Sequence, residues 1–334
     1  MFLYTRNNII IKNIKFFLYI IYNKMKKIIY ILILIIITSL LGYHYKYNND
    51  NDFDINENFE NFSKTEFKDT TVDIYDKFYS DIYTELFNNQ IKNEFELFNI
   101  INYTIKDKKI ASFDRKDVRF LDLGCGTGNH LKILEREKIK AVGIDKSIFM
   151  LEKARKNAPD TPLVKGDFMN KSTFKNREFT HIMCLFFSIY QTYEPDVLFK
   201  NVNYWLKPKG YFCLNLVSPK KFDPILEKSS KLIPLYNPQK HADKRKTKTK
   251  LKFNKFKYVA DWTFEKGNTQ FIEHFMFNDN SLNRQNIHKL RMEPIKFYVD
   301  LANKNGMKLV KVIDLLPVNH DNSYIYIFQK KYGN

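Results

Sequence analysis

Three glycines alternate in a short segment of the chain, Phe120-Leu-Asp-Leu-Gly-Cys-Gly-Thr-Gly-Asn129. An apolar run ends at Gly124 and a helical pattern begins at Asn129, so the glycines occupy a turn from a strand to a helix. Glycine lets the backbone turn tightly and lets a ligand approach the main chain. Asn129 stands where the dinucleotide fingerprint G-x-G-x-x-G has its third glycine, and the Gly-Lys-Ser/Thr of a P-loop is also missing. The segment therefore predicts a ligand site that is neither of these loops, although simple turn glycines are the alternative.

Acidic residues recur beside this loop and after the next two predicted strands. Asp122 precedes the first glycine by two residues, and the segments Val142-Gly-Ile-Asp145-Lys-Ser and Lys165-Gly-Asp167-Phe168 follow. A carboxylate at a strand end suits the two hydroxyls of a ribose, and an aromatic ring offers a stacking face for adenine. Together these residues resemble motif I (D-x-G-x-G-x-G) and the later motifs of the class I S-adenosylmethionine-dependent methyltransferases. Residues 179–190 and 206–210 resemble the family's fourth strand with its active-site loop and the turn into its fifth strand.

This resemblance covers about residues 70–334 and implies an enzyme that uses S-adenosylmethionine as its cofactor. It implies an α/β fold, a doubly wound, Rossmann-like sheet of seven strands in the order 3-2-1-4-5-7-6, with a cap inserted between strands 5 and 6. It places Asp145 on the ribose, and Asp167 and Phe168 on the adenine. The residues expected at the cofactor are Tyr75, Tyr79, Asp122, Gly124, Cys125, Gly126, Gly128, Asp145, Lys146, Asp167, Phe168 and Leu185.

Each of these assignments has a structural alternative. Asp145 could cap the next helix, although Ser147 already offers a cap. Asp122 could orient the glycine loop without touching the cofactor's ammonium group. Tyr75, Tyr79 and Tyr83 recur every four residues, which suits either a helix that closes over the cofactor or ordinary helix packing. Three cysteines, Cys125, Cys184 and Cys213, fall in or beside predicted strands and are expected to be buried small hydrophobes.

The methyl acceptor is less well defined by the sequence. In-line methyl transfer needs alignment and exclusion of water more than a strong acid or base. No D-P-P-Y type segment, Pro-Cys nucleophile or metal-ligand cluster is present, which argues against amino-group nucleic-acid methylation, cytosine C5 methylation and a metal site. The expected partner is a small-molecule or otherwise unidentified methyl acceptor, and RNA is possible but not favoured. The polar candidates on the substrate side are Tyr190, His274, Arg284 and His288, each with an ordinary surface or ion-pair role as the alternative.

Alternating apolar patterns place these residues on a regular series of elements. Helices are predicted at about 72–87, 129–138, 147–157, 195–205 and 294–305, and strands at 118–123, 140–144, 163–164, 179–187, 211–217, 308–314 and 324–329. This β-α-β-α order predicts a parallel, doubly wound sheet. Residues 218–283 form the predicted cap insertion, with a hairpin of strands 256–264 and 270–277.

Composition narrows the class of protein further. The chain has 334 residues, and 44% of them are hydrophobic, which excludes a wholly disordered chain. Three cysteines exclude a disulfide scaffold. The net charge of +18 reflects either anionic partners or compositional drift. Residues 240–257 are rich in lysine, so RNA or anionic lipid binding is one interpretation, and a lysine-protected edge strand or solvated loop is the favoured one.

An uncharged segment at about residues 28–45 precedes all of these motifs. Eighteen helical residues span about 27 Å, which is close to the thickness of a bilayer core. We therefore expect residues 1–47 to be a membrane anchor with one transmembrane helix, residues 48–70 to be a disordered acidic, Asn-rich spacer, and residues 71–334 to be the methyltransferase domain.

The sequence gives conflicting indications of the side of the membrane on which the methyltransferase domain lies. Basic residues before the segment place the domain on the far side by the positive-inside rule. The cytosolic origin of the cofactor and the absence of a disulfide pattern favour the cytosolic side, which we predict. We expect a monomer. The alternative functions are an RNA methyltransferase that uses the basic insertion, or a noncatalytic, membrane-associated binding protein.

Overall fold

The protein is described here from a computed structural model. The structure describes residues 25–26, 29–42, 67–69, 73–226, 244–265, 268–279 and 282–331. It divides into two compact units, Met1–Thr65 and Glu66–Asn334.

In the first unit, residues 29–42 are helical with exposed side chains. Among the described residues, no helix combines the length and the apolar character needed to cross a bilayer. Of the span predicted at about 28–45, residues 28 and 43–45 lie outside the described residues, as does most of the predicted spacer at 48–70.

The second unit alternates helices and strands along most of its length. Its described helices are α1 (Lys77–Phe87), α2 (Gln90–Ile101), α3 (Asn129–Arg136), α4 (Ile148–Asn157), α5 (Pro195–Trp205) and α6 (Ile295–Lys304). Its described strands are β1 (Phe67–Asp69), β2 (Arg119–Leu123), β3 (Lys140–Asp145), β4 (Leu163–Lys165), β5 (Phe179–Cys184), β6 (Leu206–Val217), β7 (Thr249–Lys252), β8 (Phe256–Glu265), β9 (Asn268–Phe277), β10 (Asn283–Leu290), β11 (Met307–Asp314) and β12 (Ser323–Lys330). A π-helical turn at Asn102–Lys106 extends α2.

Seven strands form the central sheet in the order β11-β12-β6-β5-β2-β3-β4. Strands β2 to β6 pair in parallel, and β12 is antiparallel to both of its neighbours. Numbered along the chain within this sheet, the order is 3-2-1-4-5-7-6, which confirms the predicted Rossmann-like arrangement. Alternate residues of β2 belong to separate hydrophobic clusters, Leu121 and Leu123 to one and Phe120 to the other, because successive side chains point to opposite faces of a strand.

A second sheet forms the cap, in the order β1-β10-β9-β8-β7. The hairpin of β8 and β9 lies where the sequence predicts it. The cap extends past the predicted end at residue 283, because β10 pairs with β9 along its whole length. In the predicted Lys-rich segment, Thr249–Lys252 forms the edge strand β7, and Lys248 lies 3.5 Å from Asp261. This position agrees with the edge-strand interpretation of the lysines.

Gly128 packs so closely against α4 that a side chain at this position should destabilise the fold. Its φ is +77°, and an added Cβ would lie 2.9 Å from both the Cα and the Cβ of Ala154 in α4. We expect Gly128→Ala to lower the free energy of unfolding by about 2–4 kcal/mol, from left-handed strain plus overpacking.

Urea denaturation of the two variants Gly128→Ala and Gly166→Ala measures this effect against a matched control. An added Cβ at Gly166 would meet no atom closer than 3.4 Å, so that variant should unfold like the parent. Equal stability of the two variants would show that α4 does not constrain the end of the glycine loop.

Candidate active site

The glycine loop is fastened to the end of the neighbouring strand. Its Gly124 and Cys125 N–H groups both donate to the carbonyl oxygen of Ile144 in β3, at 2.9 and 3.0 Å. Gly124 and Gly126 have φ values of +68° and +53°. An added Cβ at Gly124 would lie 2.8 Å from the Ser188 Oγ, whereas at Gly126 the nearest atom, on Tyr83, is 4.0 Å away. Gly126 is therefore the point at which the loop backbone is open to a ligand.

Asp145, at the end of β3, joins the glycine loop to the start of α4. Its Oδ2 accepts a hydrogen bond from the Gly126 N–H and its Oδ1 from the Ser147 N–H, both at 2.9 Å. Burial raises the pKa of Asp145, and these backbone donors oppose that increase. Ser147 is itself the N-cap of α4, since its Oγ accepts from the Met150 N–H. Asp145 is therefore not the N-cap of α4, and each of its carboxylate oxygens can accept a further hydrogen bond.

The segment expected at adenine is ordered around Asp167. The Asp167 Oδ1 accepts from the Met169 N–H at 2.8 Å, and its Oδ2 lies 3.0 Å from the Lys146 Nζ. The Phe168 ring comes within 3.7 Å of the position that a Cβ on Gly124 would take. The side chain of Asn201 holds this turn by donating to the carbonyls of Phe168 and Met169. An aromatic ring, a carboxylate and the glycine loop therefore meet at one edge of the sheet.

Asp122 is a buried carboxylate with one oxygen unused. Its side chain is 2% exposed, and its Oδ2 has no hydrogen-bond partner within the described residues. Burial raises its pKa to about 6, with Asp145 and Glu96 adding to the increase and His130 opposing it. A buried acceptor without a donor costs free energy, and a cationic ligand group would remove that cost. The ammonium group of S-adenosylmethionine fits this requirement.

A buried ionic cluster, which was not predicted from the sequence, lies next to Asp122. Lys92 and Glu96 lie one turn apart in α2 with 2.6 Å between the Nζ and Oε1, and the Nε2 of His130 in α3 lies 2.9 Å from the other Glu96 oxygen. Burial alone would raise the Glu96 pKa, but Lys92 and His130 lower it to about 2. The helical spacing of Leu97, Ile100 and Ile101, which are buried, could have revealed α2, but the contact with His130 required the fold.

One cavity of about 630 Å³ brings many of these groups together. The predicted residues on its wall are Tyr75, Tyr79, Asp122, Gly124, Cys125, Gly126, Leu185 and His288. The predicted residues that are not on its wall are Gly128, Asp145, Lys146, Asp167, Phe168, Tyr190, His274 and Arg284. Lys92 and His130 also line the cavity. The cavity therefore covers the region beside the glycine loop and Asp122, and the ribose and adenine candidates lie beyond its wall.

Three tyrosines border the cavity along the start of the second unit. Tyr79 and Tyr83 belong to α1, and Tyr75 lies just before it. The rings of Tyr75 and Tyr79 are 5.6 Å apart and those of Tyr79 and Tyr83 are 5.9 Å apart. The Tyr75 hydroxyl accepts from the Gln191 side chain at 2.7 Å. The tyrosines thus face the predicted site, and closure over a cofactor stays a prediction.

Three of the four substrate-side candidates have contacts that suit a role in the fold. Tyr190 is 1% exposed, and its hydroxyl accepts from the Val217 N–H at 2.8 Å. Arg284 donates to Asp76 at 2.7 Å and to the Ile74 carbonyl at 2.8 Å, so it ties β10 to the start of α1. His274 is partly buried one residue after Glu273 on β9, where burial lowers its pKa. Of these four candidates, His288 is the one that lines the cavity.

Comparison with known proteins relates this chain to methyltransferases. Residues 120–210 match the family model of a methyltransferase domain, and this range holds the glycine loop, Asp145 and Asp167. The structure of the SAM-bound amino pentose methyltransferase CalS10 from Micromonospora echinaspora is similar over 77% of this chain and 98% of its own, with a TM-score of 0.54 and 18% identity. Residues 120–210 therefore form a methyltransferase domain, and the chain shares its fold with S-adenosylmethionine-dependent methyltransferases. The predicted family, enzyme class and cofactor are thereby confirmed for this methyltransferase.

Sequence relatives of this methyltransferase match mainly over part of their length. An uncharacterized protein of Haemophilus influenzae is 36% identical over 29% of this chain and 37% of its own. A dTDP-3-amino-3,4,6-trideoxy-alpha-D-glucopyranose N,N-dimethyltransferase of Streptomyces venezuelae is 36% identical over 21% of this chain and 28% of its own. The chain thus spans about a third of the length of these relatives.

Proposed function

We propose that this methyltransferase transfers the methyl group of S-adenosylmethionine to a small polar organic molecule held in the cavity beside the glycine loop. The observation behind the proposal is the cavity itself, which is about 630 Å³ and is lined by both the glycine loop and the cap sheet. Its volume lies in the range of small-molecule sites. Because the adenine and ribose candidates lie outside its wall, the cavity has room for an acceptor as well as for the methionine end of the cofactor.

The residues of the chain offer a partner for each part of the cofactor. Asp145 would accept from the ribose hydroxyls, while Asp167 and Phe168 would hold the adenine. The free oxygen of Asp122 would accept from the ammonium group, and Lys92 with His130 would attract the carboxylate. The bound cofactor supplies an electrophilic methyl group on a sulfonium, so the contribution of the protein is alignment and exclusion of water.

The acceptor end of the cavity has an aromatic wall with one polar donor. Phe187, Phe222 and Phe271 lie with their ring centroids 4.8 to 5.5 Å from that of Trp262. The Trp262 Nε1–H is buried and has no acceptor in the part of the chain that the structure describes. Aromatic faces pack on the apolar face of a sugar ring, and the indole N–H suits one of its oxygens. An amino sugar is therefore the acceptor class we favour, which agrees with the substrate named for the Streptomyces relative.

Methyl transfer from labelled S-adenosylmethionine to an acceptor panel tests this proposal. The full-length protein is offered a nucleotide-linked amino sugar, a free amino sugar, a phenol and transfer RNA. We expect label in an amino sugar, and we expect Trp262→Phe to raise the KM by about 5–10-fold because one hydrogen bond is lost. Label in the RNA alone, or in none of the four, would contradict the proposal.

A further inference from the structure

We infer that Glu273 and His288 form a carboxylate–imidazole pair in which His288 takes the proton from the acceptor during methyl transfer. The inference rests on the proposed function and narrows its acceptor to a molecule whose reacting nitrogen or oxygen bears a proton. His288 would be a catalytic residue, and Glu273 would be a positioning residue that acts through it.

The pair is built by the register of two cap strands. In the antiparallel pairing of β9 with β10, Glu273 lies opposite Asn286, and His288 is two residues further along the same face of β10. Glu273 is 0% exposed, and His288 is 8% exposed. The His288 Nε2 lies 2.7 Å from the Glu273 Oε2, which is the distance of a charge-assisted hydrogen bond.

Donors surround the Glu273 carboxylate on several sides. The Tyr258 hydroxyl donates to Oε1 at 2.7 Å, and the Asn286 amide donates to Oε2 at 3.1 Å. Burial alone would raise the Glu273 pKa, but hydrogen bonds from His288, Tyr258 and Tyr79 lower it below its usual value. An ionised carboxylate only accepts hydrogen bonds, so the His288 Nε2 must carry the hydrogen. In the neutral imidazole, Nδ1 then holds the lone pair.

The remaining ring nitrogen, Nδ1, belongs to a residue that lines the cavity. His288 lines the same cavity as Asp122 and Gly126. The hydrogen bonds of the His288 ring within the described residues all involve Nε2, to Glu273 and, at 3.5 Å, the Tyr79 hydroxyl. The rings of Tyr75 and Phe271 pack at 6.0 and 5.3 Å and restrict rotation of the imidazole. A fixed base therefore shares a cavity with the residues expected to hold the methionine end of the cofactor.

The methyl-transfer step is balanced in bonds, electrons and protons. The lone pair of the acceptor nitrogen or oxygen attacks the methyl carbon and forms the new bond to carbon. The carbon–sulfur bond breaks, and its electron pair stays on sulfur as a neutral thioether. The acceptor's proton moves to the His288 Nδ1, and the resulting imidazolium is stabilised by the Glu273 carboxylate before the proton leaves to water.

The tautomer of His288 provides a test that does not depend on turnover. In full-length protein labelled with ¹⁵N-histidine, long-range proton–nitrogen spectra distinguish the two neutral forms, and the signals lost in His288→Gln identify this residue. We expect the Nε2–H form in the parent protein. A neutral Nδ1–H form would overturn the inference, whatever the acceptor proves to be.

Turnover of the amino-sugar probe separates a catalytic role from a structural one. We expect His288→Gln and Glu273→Gln to lower kcat by about 100-fold while the Kd for S-adenosylmethionine changes by less than about twofold. Lys289→Gln, an exposed neighbour on β10, is the matched control and should retain the parent kcat.

Thermal unfolding shows whether each variant folds. If His288→Gln does not fold, His288→Asn replaces it. An unchanged kcat in a folded His288 variant would contradict the inference. Failure of the parent protein to methylate any amino sugar would instead count against the proposed function, while the tautomer still decides the state of the pair.

Discussion

Replacing Asp145 with alanine is expected to weaken S-adenosylmethionine binding by at least about 100-fold. Two hydrogen bonds from the ribose to a carboxylate contribute about 1.5–3 kcal/mol each, and 1.4 kcal/mol is a tenfold change in affinity. The substitution also removes the acceptor of the Gly126 and Ser147 N–H groups. We therefore expect a loss of stability of about 1–3 kcal/mol as well, because two backbone donors lose their partner.

Calorimetric titration of the folded variant measures the first effect, and urea denaturation measures the second. Asp145→Asn separates them, since the amide oxygen still accepts one backbone hydrogen bond without the negative charge. Asp160→Ala removes an exposed aspartate beyond α4 and should bind like the parent protein. An unchanged Kd in Asp145→Ala would show that the ribose binds elsewhere.

Replacing Asp122 with asparagine is expected to stabilise the unliganded protein and to weaken its cofactor binding. Burial raises the pKa of this carboxyl from 3.8 to about 6, so the folded state holds the proton more tightly than the unfolded state does. Above pH 6 the ionised form therefore costs stability, at 1.36 kcal/mol for each pKa unit, or about 2–3 kcal/mol in all. This cost disappears as the pH falls below about 4, where both states are protonated.

Thermal unfolding at two pH values tests the stability effect. We expect Asp122→Asn to exceed the parent protein in stability at pH 7.5 and to match it near pH 4. Cofactor affinity should change in the opposite direction, with a loss of about 10–100-fold at pH 7.5, since the ammonium group loses a charged acceptor. The parent affinity should also fall as the pH drops through 6, and the variant should not follow it. A variant with lower stability and unchanged affinity would place the ammonium group elsewhere.

The sequence predicted the central sheet because local patterns determine it, and patterns of the same kind underlie the prediction of the cofactor residues. The glycine spacing, the strand-end acids and the alternating apolar runs each lie within a few neighbouring residues. Strand β5 is buried along its whole length, so its apolar run predicted where it begins, although the strand ends at Cys184 and not at the predicted residue 187. The cysteines are also buried, as expected of small hydrophobes.

The cap strand β10 shows why the acceptor side was harder to predict. Its buried face carries Arg284, Asn286 and His288, while Ile287 lies on the other face. Strands are predicted from apolar residues that alternate with polar ones, with the apolar residues assigned to the buried face. A strand whose buried face is polar reverses this pattern. Those polar residues are tolerated because they bond to Asp76 and Glu273, and these partners lie on other elements.

Tyr190 shows that a position in a loop does not determine where its side chain lies. The sequence placed it after the fourth strand of the sheet, where related enzymes have active-site residues. The chain turns at Ser188–Gln191, and the Tyr190 ring packs into the core against Phe187 and Tyr298. The direction of a side chain in an irregular turn depends on packing partners that are distant in sequence.

Calorimetric titration of the full-length protein with S-adenosylmethionine tests whether the glycine loop, Asp122 and Asp145 form the cofactor site. We predict one cofactor molecule bound per chain, competition by the demethylated thioether product, and loss of the binding heat in Asp145→Ala but not in Asp160→Ala. The absence of binding heat and of any thermal stabilisation by millimolar cofactor would contradict the assignment of the glycine loop, Asp122 and Asp145 as the cofactor site.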